Sequence, residues 1–141
     1  WSWQHWWTNL AAFSCFTLLF YQRLKLTELL ALNAVLVLGS GIFLSLFYQR
    51  EFYLGFSGLL YGWFFYASLR TWRQQTILSV LVLVYLSAKI FTAYFMVSTP
   101  GTIDGLDIAK EMHVLNGLLA VVYWVWGEIP RDPKVPVDRS N

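Results

Sequence analysis

Two histidines, one serine set between glycines and one asparagine have the types and spacing to do chemistry in this chain. Ser57 lies in Gly55-Phe56-Ser57-Gly58, where a polar loop gives way to an apolar run. Serine is a weak nucleophile until a base within hydrogen-bond reach takes its proton, and histidine is the usual base. Ser57 with His113 therefore points to nucleophilic acyl transfer. His5 and Asn9 are four residues apart, on one helical face. With the Ser57 backbone N–H they are candidates for an oxyanion hole, the donors that meet charge as it develops. Tyr61 follows Ser57 by one helical turn and is the candidate to pack on the His113 ring and orient it. Gly55 and Gly58 would let a helix or a substrate backbone come close.

Each of these residues also has a plainer reading. A membrane serine is most often a packing residue, and an intramembrane histidine is more often a packed donor than a base. His5 with Asn9 also suits a clamp between helices. Gly58-x-x-x-Gly62 is a small-residue pattern of helix contacts whatever Ser57 does. The catalytic reading gains from their coincidence at one depth.

That depth is set by five apolar spans: Trp3–Tyr21, Leu26–Phe47, Ser57 to just before Arg70, Thr76–Val97 and Met112–Trp126. The fourth would extend roughly 33 Å, enough to cross a bilayer. They lack two-residue alternation and are too long for barrel strands. If the spans alternate, Arg23, Lys25, Arg70, Arg73, Arg131, Lys134 and Arg139 fall on one side. The other side holds Arg50 and Lys110 with Glu51, Asp104, Asp107 and Glu111. An excess of basic residues marks the cytoplasmic side, so His5, Ser57 and His113 are expected at the outer ends of their spans. Tryptophans at span ends suit interfacial anchoring.

Composition supports this arrangement. The chain has 141 residues, 57% hydrophobic and 13% charged, against about 25% charged in a soluble domain. Its mean hydropathy is +0.51. A net charge of +2 gives no reason to expect a nucleic-acid partner, and the single Cys15 excludes an internal disulfide and a cysteine-based metal site. No cofactor is expected. A haem held by His5 and His113 is the one alternative the histidines allow. The segment 128–141, with three prolines and mixed charge, is expected to be a flexible cytoplasmic tail behind a catalytic domain at 1–127.

Together the motifs resemble the rhomboid intramembrane proteases. GFSG at 55–58 with Tyr61 resembles the family's GxSG segment and its following tyrosine. HWWTN at 5–9 resembles the HxxxN segment, and EMHVLNG at 111–117 resembles the last helix with its catalytic histidine. The resemblance implies an all-α, rhomboid-like transmembrane bundle in which Ser57 is the nucleophile and His113 the base. It further implies that His5 and Asn9 line the oxyanion hole and that Tyr61 stacks on the base. The five spans then correspond to the second to sixth helices of a six-helix core, and the start at Trp1 suggests a missing first helix. One departure stands out: where the family has HxxG, position 116 is Asn and the glycine comes at 117.

Gly58, Gly62, Lys89 and Glu111 further resemble the rhombosortases, a bacterial subgroup. That implies a serine endopeptidase of the bacterial inner membrane, with a periplasmic active site and a cytoplasmic C-terminus. Its partners would be the lipid bilayer and membrane-anchored proteins with a transmembrane helix or a Gly-Gly-type C-terminal sorting tail, selected in part by Lys89 and Glu111. A solvated acidic loop is the plainer account of Glu111, Asp104 and Asp107. Lys89 allows two others, a snorkelling role and a Ser–Lys dyad. The alternative function is an inactive rhomboid-like protein that only binds membrane helices.

Overall fold

The computed structural model describes residues 3–47, 55–95 and 110–128. They form five helices: α1 (Trp3–Phe20), α2 (Leu26–Phe47), α3 (Phe56–Thr71), α4 (Thr76–Phe95) and α5 (Lys110–Glu128), with no strand among the described residues. Glu51, Asp104, Asp107, Val97 and residues 129–141 of the expected tail lie outside the described residues. α5 runs two residues beyond its expected span at each end. Glu111 in its first turn favours the N-terminal extension, because a carboxylate there meets the positive end of the helix dipole.

α3 is the central helix and packs against all four others, most extensively against α5. Its aromatic side, Trp63 and Phe64, meets Phe16 and Phe20 of α1 at ring-centroid distances of 5.4–6.1 Å. Phe16, Phe20, Leu24, Leu32, Leu36, Tyr66, Ala67 and Ala120 form the buried core. Large apolar side chains also cover the exterior, among them Leu18, Leu38, Leu46, Ile77 and Val122. Such a surface is suited to lipid rather than water. α2 is long and apolar enough to cross a membrane, with a hydropathy of 2.2 and only 17% of its apolar window buried. The bundle therefore has a dry core and a lipid-compatible outside, with backbone polar groups satisfied within helices.

The close approach on α3 occurs at Gly62. A Cβ there would lie 2.6 Å from Leu36 Cδ1 and 3.1 Å from the Asn116 carbonyl oxygen. Gly62 thus lets α2, α3 and α5 converge, and it puts Gly62 level with Leu36. From that level α3 climbs to Ser57 and α2 to Phe47, which leaves Ser57 about 9 Å short of the end of α2 at the usual helical rise.

At the opposite end, polar side chains tie the same three helices. Tyr66 donates to Glu28 Oε2 at 3.3 Å, and Arg70 lies 3.7 Å from Glu28 and 3.5 Å from Glu128. The Tyr123 hydroxyl donates to the Glu28 carbonyl at 3.5 Å. Arg23, Lys25, Arg70 and Arg73 all lie at this end, beside the turns joining α1 to α2 and α3 to α4.

Candidate active site

Ser57 is the second residue of α3. Gly55 caps the helix without a side-chain bond and accepts the Leu59 N–H at 3.2 Å. Its φ of −95° is open to any residue, so no backbone strain calls for glycine there. The N–H groups of Phe56, Ser57 and Gly58 belong to the first turn and have no intrahelical acceptor. They carry the positive end of the helix dipole to the serine. Gly58 is buried.

His113 sits in the second turn of α5, the helix most closely packed on α3. Its Nε2 lies 3.1 Å from Ser57 Oγ. In the neutral tautomer protonated at Nδ1, Nε2 accepts the serine proton, the relation a general base needs. Tyr61, one turn along α3, stacks on the imidazole with centroids 4.2 Å apart and planes 16° from parallel.

On α1, His5 and Asn9 are both half-buried, and Asn9 Nδ2 lies 3.0 Å from His5 Nε2. An amide nitrogen only donates, so His5 Nε2 is the acceptor. The amide of Asn9 carries a second N–H beyond this bond. His5 is within electrostatic range of His113, although α1 and α5 do not pack on each other. The Nε2 atom of each histidine thus has a side-chain partner already, Ser57 for one and Asn9 for the other, an arrangement unlike a pair of axial haem ligands.

Lys89 is exposed on α4, within electrostatic range of His113. Tyr85, one turn earlier, is similarly close to Tyr61. The hydrogen-bond partner of the Ser57 hydroxyl is His113. Glu111, two residues before His113, is half-buried in the first turn of α5. An apolar hollow along α4, lined by Leu83, Val84, Ser87 and Phe91, contains none of these site residues.

The Rhomboid domain family model matches residues 1–130. The chain belongs to the rhomboid family. No curated protein and no solved structure matches it. Rhomboids are in general intramembrane serine proteases that act on membrane-protein substrates within the bilayer, so this rhomboid is a membrane-embedded protein. Its all-α bundle fits that assignment.

Two parts of this rhomboid's polar interior escaped the reading of its sequence. One is the Glu28–Tyr66–Arg70–Tyr123 group, signalled only by an acid at the head of an apolar span. The other is Ser40, whose hydroxyl donates to Asn116 Oδ1 at 3.1 Å between two buried positions. Ser40 lies between Gly39 and Gly41, a setting that reads as small-residue packing and conceals the hydrogen bond.

Proposed function

We propose that this rhomboid is an active intramembrane serine endopeptidase using a Ser57–His113 dyad. The observation that carries the proposal is the 3.1 Å approach of His113 Nε2 to Ser57 Oγ, with Tyr61 flat on the imidazole. Ser57 Oγ attacks the scissile carbonyl carbon and His113 takes its proton. The resulting oxyanion is met by the Ser57 backbone N–H at the start of α3 and by donors from His5 and Asn9. His113 then gives the proton to the leaving amine, and the acyl group remains on Ser57 as an ester. Water, or another amine in a sortase-like variant, attacks that ester with His113 again as base.

Substrate helices reach the dyad from the bilayer between α1 and α4. Those two helices do not pack on each other, while Tyr85 and Lys89 of α4 lie near Tyr61 and His113. Resemblance at Gly58, Gly62, Lys89 and Glu111 favours rhombosortase-type substrates, membrane-anchored proteins ending in a Gly-Gly-type sorting tail. Small residues there weaken helix, which helps the scissile bond unwind. The basic residues at the Arg70 end favour a bacterial inner membrane with the site facing the periplasm and the C-terminus in the cytoplasm.

Asn116, standing where the family has glycine, is the feature that would favour an inactive helix-binding rhomboid. Both polar groups of its side chain are engaged inside the bundle, with Ser40 and with the Met112 carbonyl. It takes nothing from the dyad, so that reading is not favoured.

The deciding experiment pairs a chemical probe with a substrate. A fluorophosphonate should label Ser57 in the parent chain and not in Ser57→Ala or His113→Ala. Co-expression with a tail-bearing protein should give processing by the parent and none by Ser57→Ala. Labelling lost in Lys89→Ala but kept in His113→Ala would overturn the dyad.

A further inference from the structure

We infer that Asn116 is a positioning residue: its buried bond to Ser40 sets the rotation of α5 and so holds His113 against Ser57. The inference deepens the dyad reading and rests on it. Asn116 is 1% exposed and Ser40 9%. Ser40 Oγ donates to Asn116 Oδ1 at 3.1 Å, and Asn116 Nδ2 donates to the Met112 carbonyl at 2.9 Å. The amide thus joins α2 to the residue that immediately precedes His113. Asn116 follows His113 by three residues, so the two side chains neighbour each other on α5.

Tyr123 and Glu128 tie the far end of α5 to Glu28 and Arg70; near Asn116 the contacts with α3 run through glycines. α5 meets α3 at Gly62, where backbone faces backbone, and at Gly117, where a Cβ would lie 3.2 Å from the Phe65 ring. Glycine contacts permit close approach but offer no directional partner. The Ser40–Asn116 bond is directional and lies about one turn from the dyad. Rotating α5 by about 10° would swing a side chain at about 6 Å from the axis by about 1 Å. A swing of that size directed away from Ser57 would take the 3.1 Å Ser57–His113 separation past hydrogen-bond range. Displacements of this size cost enzymes rate without unfolding them.

The test uses the full chain in detergent micelles with ¹⁵N-histidine labelling. The chain has only two histidines, so His113 can be assigned by comparison with His5→Gln. Ser57→Ala supplies the reference spectrum of an imidazole that has lost its serine. In Ser40→Ala, and in Asn116→Ala, the His113 Nε2 signal should move toward that reference. Fluorophosphonate labelling of Ser57 should slow roughly three- to tenfold, the range one interhelical membrane hydrogen bond supports. The double variant should be no slower than Asn116→Ala. Leu119→Ala is the packing control: it loosens the same α2–α5 interface, where a Cβ at Gly39 would lie 2.6 Å from Leu119 Cδ1. It should lower thermal stability without moving the His113 signal. A His113 signal unchanged in Ser40→Ala, with Ser57→Ala shifted, overturns the positioning role alone. Coincident spectra for the parent and Ser57→Ala overturn the dyad and this inference with it.

Discussion

Tyr61 lies flat against His113, ring centroids 4.2 Å apart and planes 16° from parallel. The two residues come from different helices, so the stack links the serine-bearing helix to the base-bearing one. The proposed dyad relies on this stack, rather than on a third polar member, to fix the imidazole. Aromatic pairs of this kind contribute about 0.5–1.5 kcal/mol beyond area burial. Tyr61→Phe should therefore label with fluorophosphonate at close to the parent rate. Tyr61→Ala should be slower by roughly two- to tenfold. Equal rates for the two variants would show that the stack does not orient the base.

His5 and Asn9 are bonded to each other, and this shapes what their removal should do. Losing one oxyanion donor costs about 2.7–4 kcal/mol, or roughly a hundred- to thousandfold in kcat. His5→Ala removes a donor and also the acceptor that orients Asn9. Asn9→Ala removes a donor and leaves His5 unsteadied. The double variant should consequently be little worse than either single one, the non-additivity expected of a coupled pair. Turnover of a cleavable membrane substrate checks this, and fully additive losses would assign the two residues separate roles.

Gly62 leaves no room for a side chain. Its Cβ would press on Leu36 Cδ1, which can give, and on the Asn116 carbonyl, which is helix backbone and cannot give easily. Gly62→Val should force α3 and α5 apart and destabilise by about 1–3 kcal/mol or more. The change is read as a lowered melting temperature in detergent. Because the same backbone carries the dyad, Ser57 labelling should fall with it. A variant with parental stability would mean that the three-helix junction is looser than its geometry implies.

The polar group at the other end predicts the opposite pattern. Glu28 accepts from Tyr66 and lies beside Arg70, which also reaches Glu128. Glu28→Ala should destabilise by about 1.5–3 kcal/mol, the range for hydrogen bonds to a charged group. Ser57 is far along α3 from this end, so labelling at a temperature where the variant is folded should match the parent. A slowed reaction in a fully folded Glu28→Ala protein would instead couple the two ends of the bundle.

The helices were the most legible part of the sequence. The span Leu26–Phe47 is a long, mostly apolar run bounded by polar residues in the sequence, and α2 has those same bounds. The start of α5 was harder to read, because Lys110 and Glu111 look like loop residues although the Glu111 carboxylate suits the positive end of a helix. Candidate site residues could be picked out by type and spacing, since polar side chains are few in so apolar a chain. What spacing cannot give is distance between helices. The approach of Ser57 to His113 depends on how far α3 and α5 interpenetrate, and that is set by Gly62 and Gly117 rather than by either site residue. Ser40 was illegible for a related reason: its partner is a residue from another helix, and a one-helix pattern carries no trace of it.

The short reach of α3 has a further consequence. It acts as a depth gauge. A polypeptide descending from the level of Phe47 must cover about 9 Å to present a peptide bond to Ser57, a span of about three residues in extended form. A segment that stays helical needs about six residues for the same depth. Under the proposed protease reading, a membrane anchor whose top unwinds readily spans that depth with half as many residues as one that stays coiled.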